Sequence, residues 1–424
     1  MTSGTETRQG MPAPAPLRSA PPLAHASTIA AGLAVILSAF HFWPLEGHRL
    51  GEMLCPANTV VMLWIPVAGS LWFTHRNRVR GGARLVPASI LAYVGTLVLS
   101  TAFAPSTARS VGYVSKLVLW CLGGYALFAC ACTNDRGRRL VHILACLALA
   151  AAIGACLIGK YYGHVNSYGF FGSPFKYGTY IGMLAPLCGI WLVMGASPIG
   201  KVAGMLLPFV AVLSSGTLGA VAAITAGLVA AAVLAPSWRL RGQLLMVAAA
   251  GLIVASTWQV SLTSAFRVDC AIYETDGSNI RQRYIEWQAL INLLEDRALI
   301  GTGAGCVNEH RSEYYYRLPK LNTLAPFEEN GYLATAAEGG ILALTCLLWV
   351  IADHFAGLRS GIASARRRNS PEGLRTSLAS FAGLTGACVA NVFSAVQFNG
   401  VLVVFVLILV LSQAPHARED ITND

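Results

Sequence analysis

The 424-residue chain reads as an all-α polytopic membrane protein of about 12 transmembrane helices, with a large, partly helical outward loop between the ninth and tenth. Three observations predict this. First, 55% of the residues are hydrophobic and 12% are charged, with a mean hydropathy of +0.57; a soluble domain carries about 25% charged residues. Second, the apolar runs reach the roughly 20 residues that cross a bilayer as a helix. A β-barrel would alternate every second residue over segments of about 10, and runs such as Leu218–Ala235 do not. Third, basic residues gather in every other loop, as membrane topology demands.

Taken in order, residues 1–25 are rich in Pro, Ala, Ser and Thr and are expected to form a disordered cytoplasmic tail. The first apolar run meets Trp43 and Pro44 rather than a small-residue cleavage site. It is therefore expected to be a retained helix and not a signal peptide. Helices 1–9 are expected within residues 26–260, at 26–44, 57–73, 85–103, 111–131, 140–159, 178–195, 200–214, 217–235 and 242–260. Residues 261–330 form the large loop. Helices 10–12 are expected within 331–413, at 331–352, 376–396 and 399–413, followed by a cytoplasmic tail at 414–424.

One set of connecting segments holds Arg76, Arg78, Arg80 and Arg84; Arg136, Arg138 and Arg139; Lys201; Arg239 and Arg241; and Arg359, Arg366, Arg367, Arg368 and Arg375. The alternate short loops hold only Arg49, Arg109, Lys160 and Lys176. Fifteen cations against four place the first set and both termini in the cytoplasm. The large loop then faces outward. The formal charge of +10 is thereby accounted for by topology, which argues against nucleic-acid binding.

Of the 11 cysteines, most (Cys121, Cys146, Cys156, Cys188, Cys346 and Cys388) sit in apolar runs, where cysteine acts as a small hydrophobe. None forms a CxxC pair of the metal-binding type, and no metal or cofactor is expected. Cys270 and Cys306 lie in the large loop and either pair, if the compartment is oxidising, or remain two free thiols.

Half of the 20 acidic residues fall between Ser261 and Asn330, together with seven basic ones. Such a concentration of charge is where chemistry is expected. Ile280, Tyr284, Trp287, Ile291 and Leu294 recur at helical spacing, with Ser278 as an N-cap. They predict a helix that lies along the outer membrane surface, packs on the spans as a lid, or both. Arg283 adjoins the stripe. It is either a bidentate phosphate clamp or an interfacial arginine on any lipid headgroup. The Gly301-Thr-Gly303-Ala-Gly305 run lacks the strand–turn–helix context of a dinucleotide fingerprint and predicts a tight turn. Glu328-Glu329-Asn330-Gly331-Tyr332-Leu333 leads into the tenth span, whose N-terminal N–H groups favour a nearby anion. Glu329 is a candidate base with a helix cap as the alternative role. Glu338 is a carboxylate inside a span, either functional or a packing hydrogen bond.

Together these residues resemble the O-antigen ligase family of polytopic glycosyltransferases, which includes polysaccharide polymerases. The resemblance rests on Arg283…Trp287, Gly301-Thr-Gly303, Glu329-Asn330-Gly-Tyr332-Leu333 and Glu338-Gly-Gly340, in order over about 60 residues. Weaker echoes are Gly169-Phe-Phe-Gly172-Ser-Pro174 through Pro186, and the turn Ser214-Ser-Gly-Thr217-Leu218-Gly219. Two departures stand out: Leu218 occupies the place of an arginine, and Glu329 that of a histidine.

The resemblance implies glycosyl transfer at the periplasmic face of a bacterial inner membrane. The implied donor is a glycan on a polyprenyl (undecaprenyl) pyrophosphate, and the acceptor is a glycan or a lipid. Membrane lipids and other polysaccharide assembly proteins are the further implied partners. It implies Arg283 and Arg281 as phosphate ligands and Glu329 as base. Asn330 and Tyr332 would position the acceptor, while Glu338, Lys176 and His164 would serve as further substrate contacts. Two other readings are a transporter or flippase of lipid-linked sugars and an inactive member of an assembly complex. Transport predicts several buried charges along a path, and the spans hold few, chiefly Lys116, Glu338 and Asp353. Leu218 keeps the inactive reading open.

Overall fold

The computed structural model describes residues 22–38, 60–65, 86–132, 135–162, 171, 174–270, 279–315, 330–394 and 399–413. All regular structure among them is helical. In chain order the helices are α1 (Pro22–Ser38), α2 (60–65), α3 (Ala88–Ser100), α4 (Thr107–Ala131), α5 (Asp135–Tyr161), α6 (Pro174–Val193) and α7 (Pro198–Ser215). They continue with α8 (Leu218–Leu234), α9 (Trp238–Cys270), α10 (Asn279–Asp296), α11 (Val307–Tyr315), α12 (Gly331–Arg367), α13 (Pro371–Phe393) and α14 (Asn399–Gln413).

A described helix overlaps each of the expected spans, and α10 and α11 lie in the large loop. By length and composition α4, α5, α7, α9, α12 and α13 are able to cross a membrane. Shorter apolar helices lie within α1, α3, α8 and α14. Helices α9 and α12 run farthest past their expected ends, to Cys270 and Arg367. Hydrophobicity marks where a helix leaves the bilayer, not where its hydrogen bonds stop.

Local sequence sets the tight connections. Ser197 caps α7 ahead of Pro198, and Ser370 caps α13 ahead of Pro371. Gly216 ends α7 in the left-handed region at φ 62°, and Thr217 then caps α8 by accepting the Ala220 N–H.

Helix α6 is the hub: every residue from Tyr177 to Trp191 is buried, as is every residue of α14 from Val401 to Ser412. Small residues let α6, α8 and α13 meet at backbone distance. A Cβ on Gly386 would stand 2.4 Å from the Gly182 carbonyl oxygen, and one on Gly227 would stand 2.7 Å from that of Ala382. The outer surface is the reverse of a soluble protein's. Leu91, Val98, Leu147, Ile158, Val202, Leu206, Met246 and Ile253 are large, apolar and exposed. Spread over helices this apolar, they form a surface suited to lipid. The chain is a membrane protein.

Helix ends that the charge pattern assigns to one side do meet. At one end Arg375 of α13 donates to the Trp191 carbonyl of α6, Arg366 of α12 to Leu234 of α8, and Arg241 of α9 to Ala232 of α8. At the other, Lys160 of α5 reaches the end of α7, Tyr332 of α12 reaches α13, and Glu309 of α11 pairs with Arg109 of α4. The first is called the arginine end below and the second the site end.

Helix α10 packs differently from the expected stripe. Its buried face is Glu286, Ala289, Leu290 and Leu293, set with Val307 and Tyr314 of α11 against Leu333 and Ala337 of α12. Of the stripe, Ile291 is exposed and Trp287 and Leu294 are half-buried. The helix has two apolar faces about 100° apart, and the one carrying small Ala289 sits against α12. Of the described stripe residues only Ile291 is open, and the side chains of Ile280 and Tyr284 are outside the described residues.

Candidate functional site

The site end is organised by a break in α12. Gly340 has φ 70° and ψ −174°, which is not helical, so Gly331–Gly339 and Ile341–Arg367 are two helical pieces. A break frees backbone groups that must find partners at membrane depth. The turn after α10 supplies them. The Ile341 N–H donates to the Ala298 carbonyl at 2.8 Å, and the Thr302 and Gly303 N–H groups donate to the Ala337 and Glu338 carbonyls at 2.9 and 3.0 Å. The Thr302 hydroxyl adds a second bond to Ala337 at 3.1 Å.

The Gly301–Gly305 run is the tight turn expected, with φ of 72°, 97° and 72° at its three glycines. Glycine is required twice over at the break itself. A Cβ on Gly340 would stand 2.0 Å from the Leu299 carbonyl oxygen, in a backbone conformation that L side chains resist. The turn is also wedged against the α3–α4 connection, where the Ala304 N–H meets the Ser100 hydroxyl and the Cys306 thiol meets the Ser106 carbonyl. Glu338 is thus carried on the last turn before the break, 8% exposed, under the Thr302–Gly303 strap.

The N-terminus of α12 is closed rather than open to an anion. Asn330 is the N-cap, its side-chain oxygen accepting the Tyr332 and Leu333 N–H groups at 3.0 and 3.1 Å. The cap is therefore Asn330, one residue after Glu329, and two of the donors expected to favour an anion are occupied. The Tyr332 hydroxyl donates to the Cys388 carbonyl at 3.0 Å and ties α12 to α13.

A second polar point lies at the α7–α8 turn. Ser214 and Ser215 are buried there, and the Tyr177 hydroxyl meets the Ser214 hydroxyl at 2.7 Å. Lys176, half-buried, precedes Tyr177 in the first turn of α6. Leu218, just after the turn, is 56% exposed.

Of the residues singled out in the sequence, the structure therefore gathers Asn330, Tyr332, Glu338 and Lys176 at one end. Arg281 and Arg283 lie on the first turns of α10, and their side chains are outside the described residues, as are Ser278, His164 and Glu329. Cys306 is a free, buried thiol; the Cys270 side chain is outside the described residues. Among the described residues no group of three or more His, Cys, Asp or Glu side chains is placed to hold a metal ion.

Sequence reasoning missed three features. Glu286 is fully buried on the packed face of α10. Thr302 straps α12 with both its N–H and its hydroxyl. Lys160 reaches Ser214 across 54 residues of sequence. The Gly339-Gly340 pair at mid-span was the signal for the break that the Thr302 strap closes; nothing in the pattern signalled the burial of Glu286 or the Lys160 contact.

Fold and site together define a polytopic helical membrane protein whose polar groups converge at one end. Within it, residues 203–348 match the protein-family model described as O-antigen ligase. The matched stretch runs from α7 through the Ser214 turn, α10 and the glycine strap to just past the break in α12. The resemblance to that family, a glycosyltransferase-like one of ligase and polymerase type, is thus supported over this part of the chain. No curated protein matches the chain.

Proposed function

We propose that this protein is a glycosyltransferase of the O-antigen ligase or exopolysaccharide polymerase type. It moves a glycan from a polyprenyl-pyrophosphate donor to a glycan or lipid acceptor at the periplasmic face of the inner membrane. The proposal includes 12 crossings, both termini in the cytoplasm and the site end facing outward. The observation that carries it is the match over residues 203–348, whose ends enclose the broken helix, its strap and α10.

The acceptor hydroxyl attacks the anomeric carbon as the bond to the pyrophosphate oxygen breaks, giving inversion. The hydroxyl proton passes to Glu329, and the leaving lipid pyrophosphate keeps the bonding electron pair. Arg283 and Arg281, at the start of α10, neutralise it. The donor arrives activated, so the protein's task is to orient the acceptor and stabilise the leaving charge. Glu338, fixed by the strap, hydrogen-bonds a sugar hydroxyl, and Tyr332, Asn330, Lys176 and His164 line the approach. Arginines at the start of a helix whose apolar stripe is in part exposed fit a donor whose tail stays in the membrane while its phosphates lie at headgroup depth.

Membranes carrying Arg283→Ala or Glu329→Gln protein test this reading. Each is expected to lose at least about a hundred-fold in product, the order of a general-base or charge-clamp contribution, with protein levels unchanged. Full activity in both variants would refute the assigned site.

A further inference from the structure

We propose that Lys160 is the cation that seats the phosphate end of the lipid-linked donor over the α7–α8 turn. The inference rests on the glycosyl-transfer reading and adds to it a residue no sequence motif marks.

The geometry is specific. The Lys160 ammonium, at the end of α5, donates to the Ser214 carbonyl at 2.6 Å. The same carbonyl takes the Cys156 thiol at 3.4 Å, while the Ser214 hydroxyl donates to Ala211 at 2.9 Å and meets Tyr177 at 2.7 Å. Ser214 is thus held by α5, α6 and its own helix, which fixes where the ammonium stands. An ammonium has three N–H donors. Two of them have no partner among the described residues.

Charge balance points the same way. Ion pairs among the described residues include Arg109–Glu309, Arg138–Asp135, Arg139–Glu372 and Arg375–Glu372. None involves Lys160. An ammonium whose remaining donors are unmatched gains charge-assisted hydrogen bonds from an anion brought beside it. The next exposed side chain beyond the turn, Leu218, supplies no charge of either sign. A phosphate at the apolar–polar boundary is the anion of matching chemistry. In a membrane it comes either from the pyrophosphate of a polyprenyl donor or from a bulk phospholipid headgroup.

The bland role for Lys160 is a cap on the last carbonyls of α7. That role predicts lower stability and unchanged affinity for phosphate. The test uses purified full-length protein in detergent, with undecaprenyl pyrophosphate as the probe and phosphatidylglycerol as competitor. Lys160→Met is expected to weaken probe binding about ten- to hundred-fold, the scale of one charge-assisted contact. Lys160→Arg should restore most of it, and phosphatidylglycerol should not compete. In the unsubstituted protein the probe should also protect Lys160 from amine acylation, read by mass spectrometry, which serves if the Met variant does not fold.

Unchanged binding with a lowered melting temperature, or absent protection, overturns the proposal in favour of the cap. Equal competition by phosphatidylglycerol overturns it in favour of bulk lipid. Failure of this inference and of the underlying reading separate cleanly. Donor turnover that survives Lys160→Met with normal KM sinks only the seat. Tight, Lys160-dependent binding without any turnover of a glycan donor sinks the transfer reading and leaves the seat standing.

Discussion

The two ends of the bundle use charge in opposite ways. At the arginine end each cation discussed is consumed by the protein. Arg375 lies 3.6 Å over the Trp191 ring, donates to that residue's carbonyl and pairs with Glu372, which also faces Arg139. Arg366 and Arg241 cap α8, and Arg138 pairs with Asp135. At the site end Arg109 is paired with Glu309, but Lys160 faces a lone carbonyl, Glu338 rides on a broken helix and the first turns of α10 carry Arg281 and Arg283 in sequence. The lesson is that the cation excess that orients a membrane protein need not be idle: here it also closes helix C-termini.

That contrast predicts which substitutions cost activity and which cost stability. The largest loss of activity is expected from Arg283→Ala and Glu329→Gln, as described above, with little change in melting. Gly340→Ala comes next and should cost both. It forces a side chain into a left-handed conformation worth about 1–3 kcal/mol of strain and against the Leu299 carbonyl, so the strap lets go and Glu338 shifts. A melting curve and a turnover assay on the same preparation check this; full turnover would show that the break is dispensable. Arg375→Met should do the opposite. Losing a stacked, hydrogen-bonded guanidinium should remove about 1–3 kcal/mol of stability, while kcat/KM of the folded fraction stays within about two-fold. A large kcat/KM loss there would erase the distinction between the ends.

Two smaller effects sharpen it. Cys306 is a buried thiol, and burial pushes its pKa above the ordinary value; nearby Glu309 and Glu338 push the same way, while the Ser106 bond and Arg109 oppose. A raised thiol pKa means less thiolate at neutral pH. Maleimide labelling of Cys306 should therefore be slow at pH 7 and still accelerating above about pH 9. Labelling at pH 7 as fast as a free surface thiol would show that the turn is loose. Smallest of all, Arg109→Gln removes a partly exposed ion pair and should cost under about 1 kcal/mol.

The positions of the helices were legible because apolar length and loop charge act locally along the chain. The tight turn at Gly301–Gly305 was legible for the same reason: three glycines in five residues state a backbone requirement. What the turn does was not, since its partner, the freed backbone of Ala337–Ile341, lies more than 30 residues away. The packed face of α10 was not identified, because periodicity finds an apolar stripe without saying which of two stripes meets protein. Glu286 on the packed face runs against any hydrophobic pattern. The cap of α12 fell one residue from the acid considered for it, a choice settled by backbone geometry at Asn330. Lys160 was legible only as one more outward cation, because its contact requires knowing that α5 and α7 end side by side.

The most direct test of glycosyl transfer at the site end uses purified protein with a polyprenyl-pyrophosphate oligosaccharide and candidate acceptors, without nucleotide or added metal, following release of lipid pyrophosphate. Release with growth of a glycan chain, or with label appearing on a lipid acceptor, is the predicted result. No release from any native donor of the host would contradict the account and favour a transporter or an inactive partner in polysaccharide assembly.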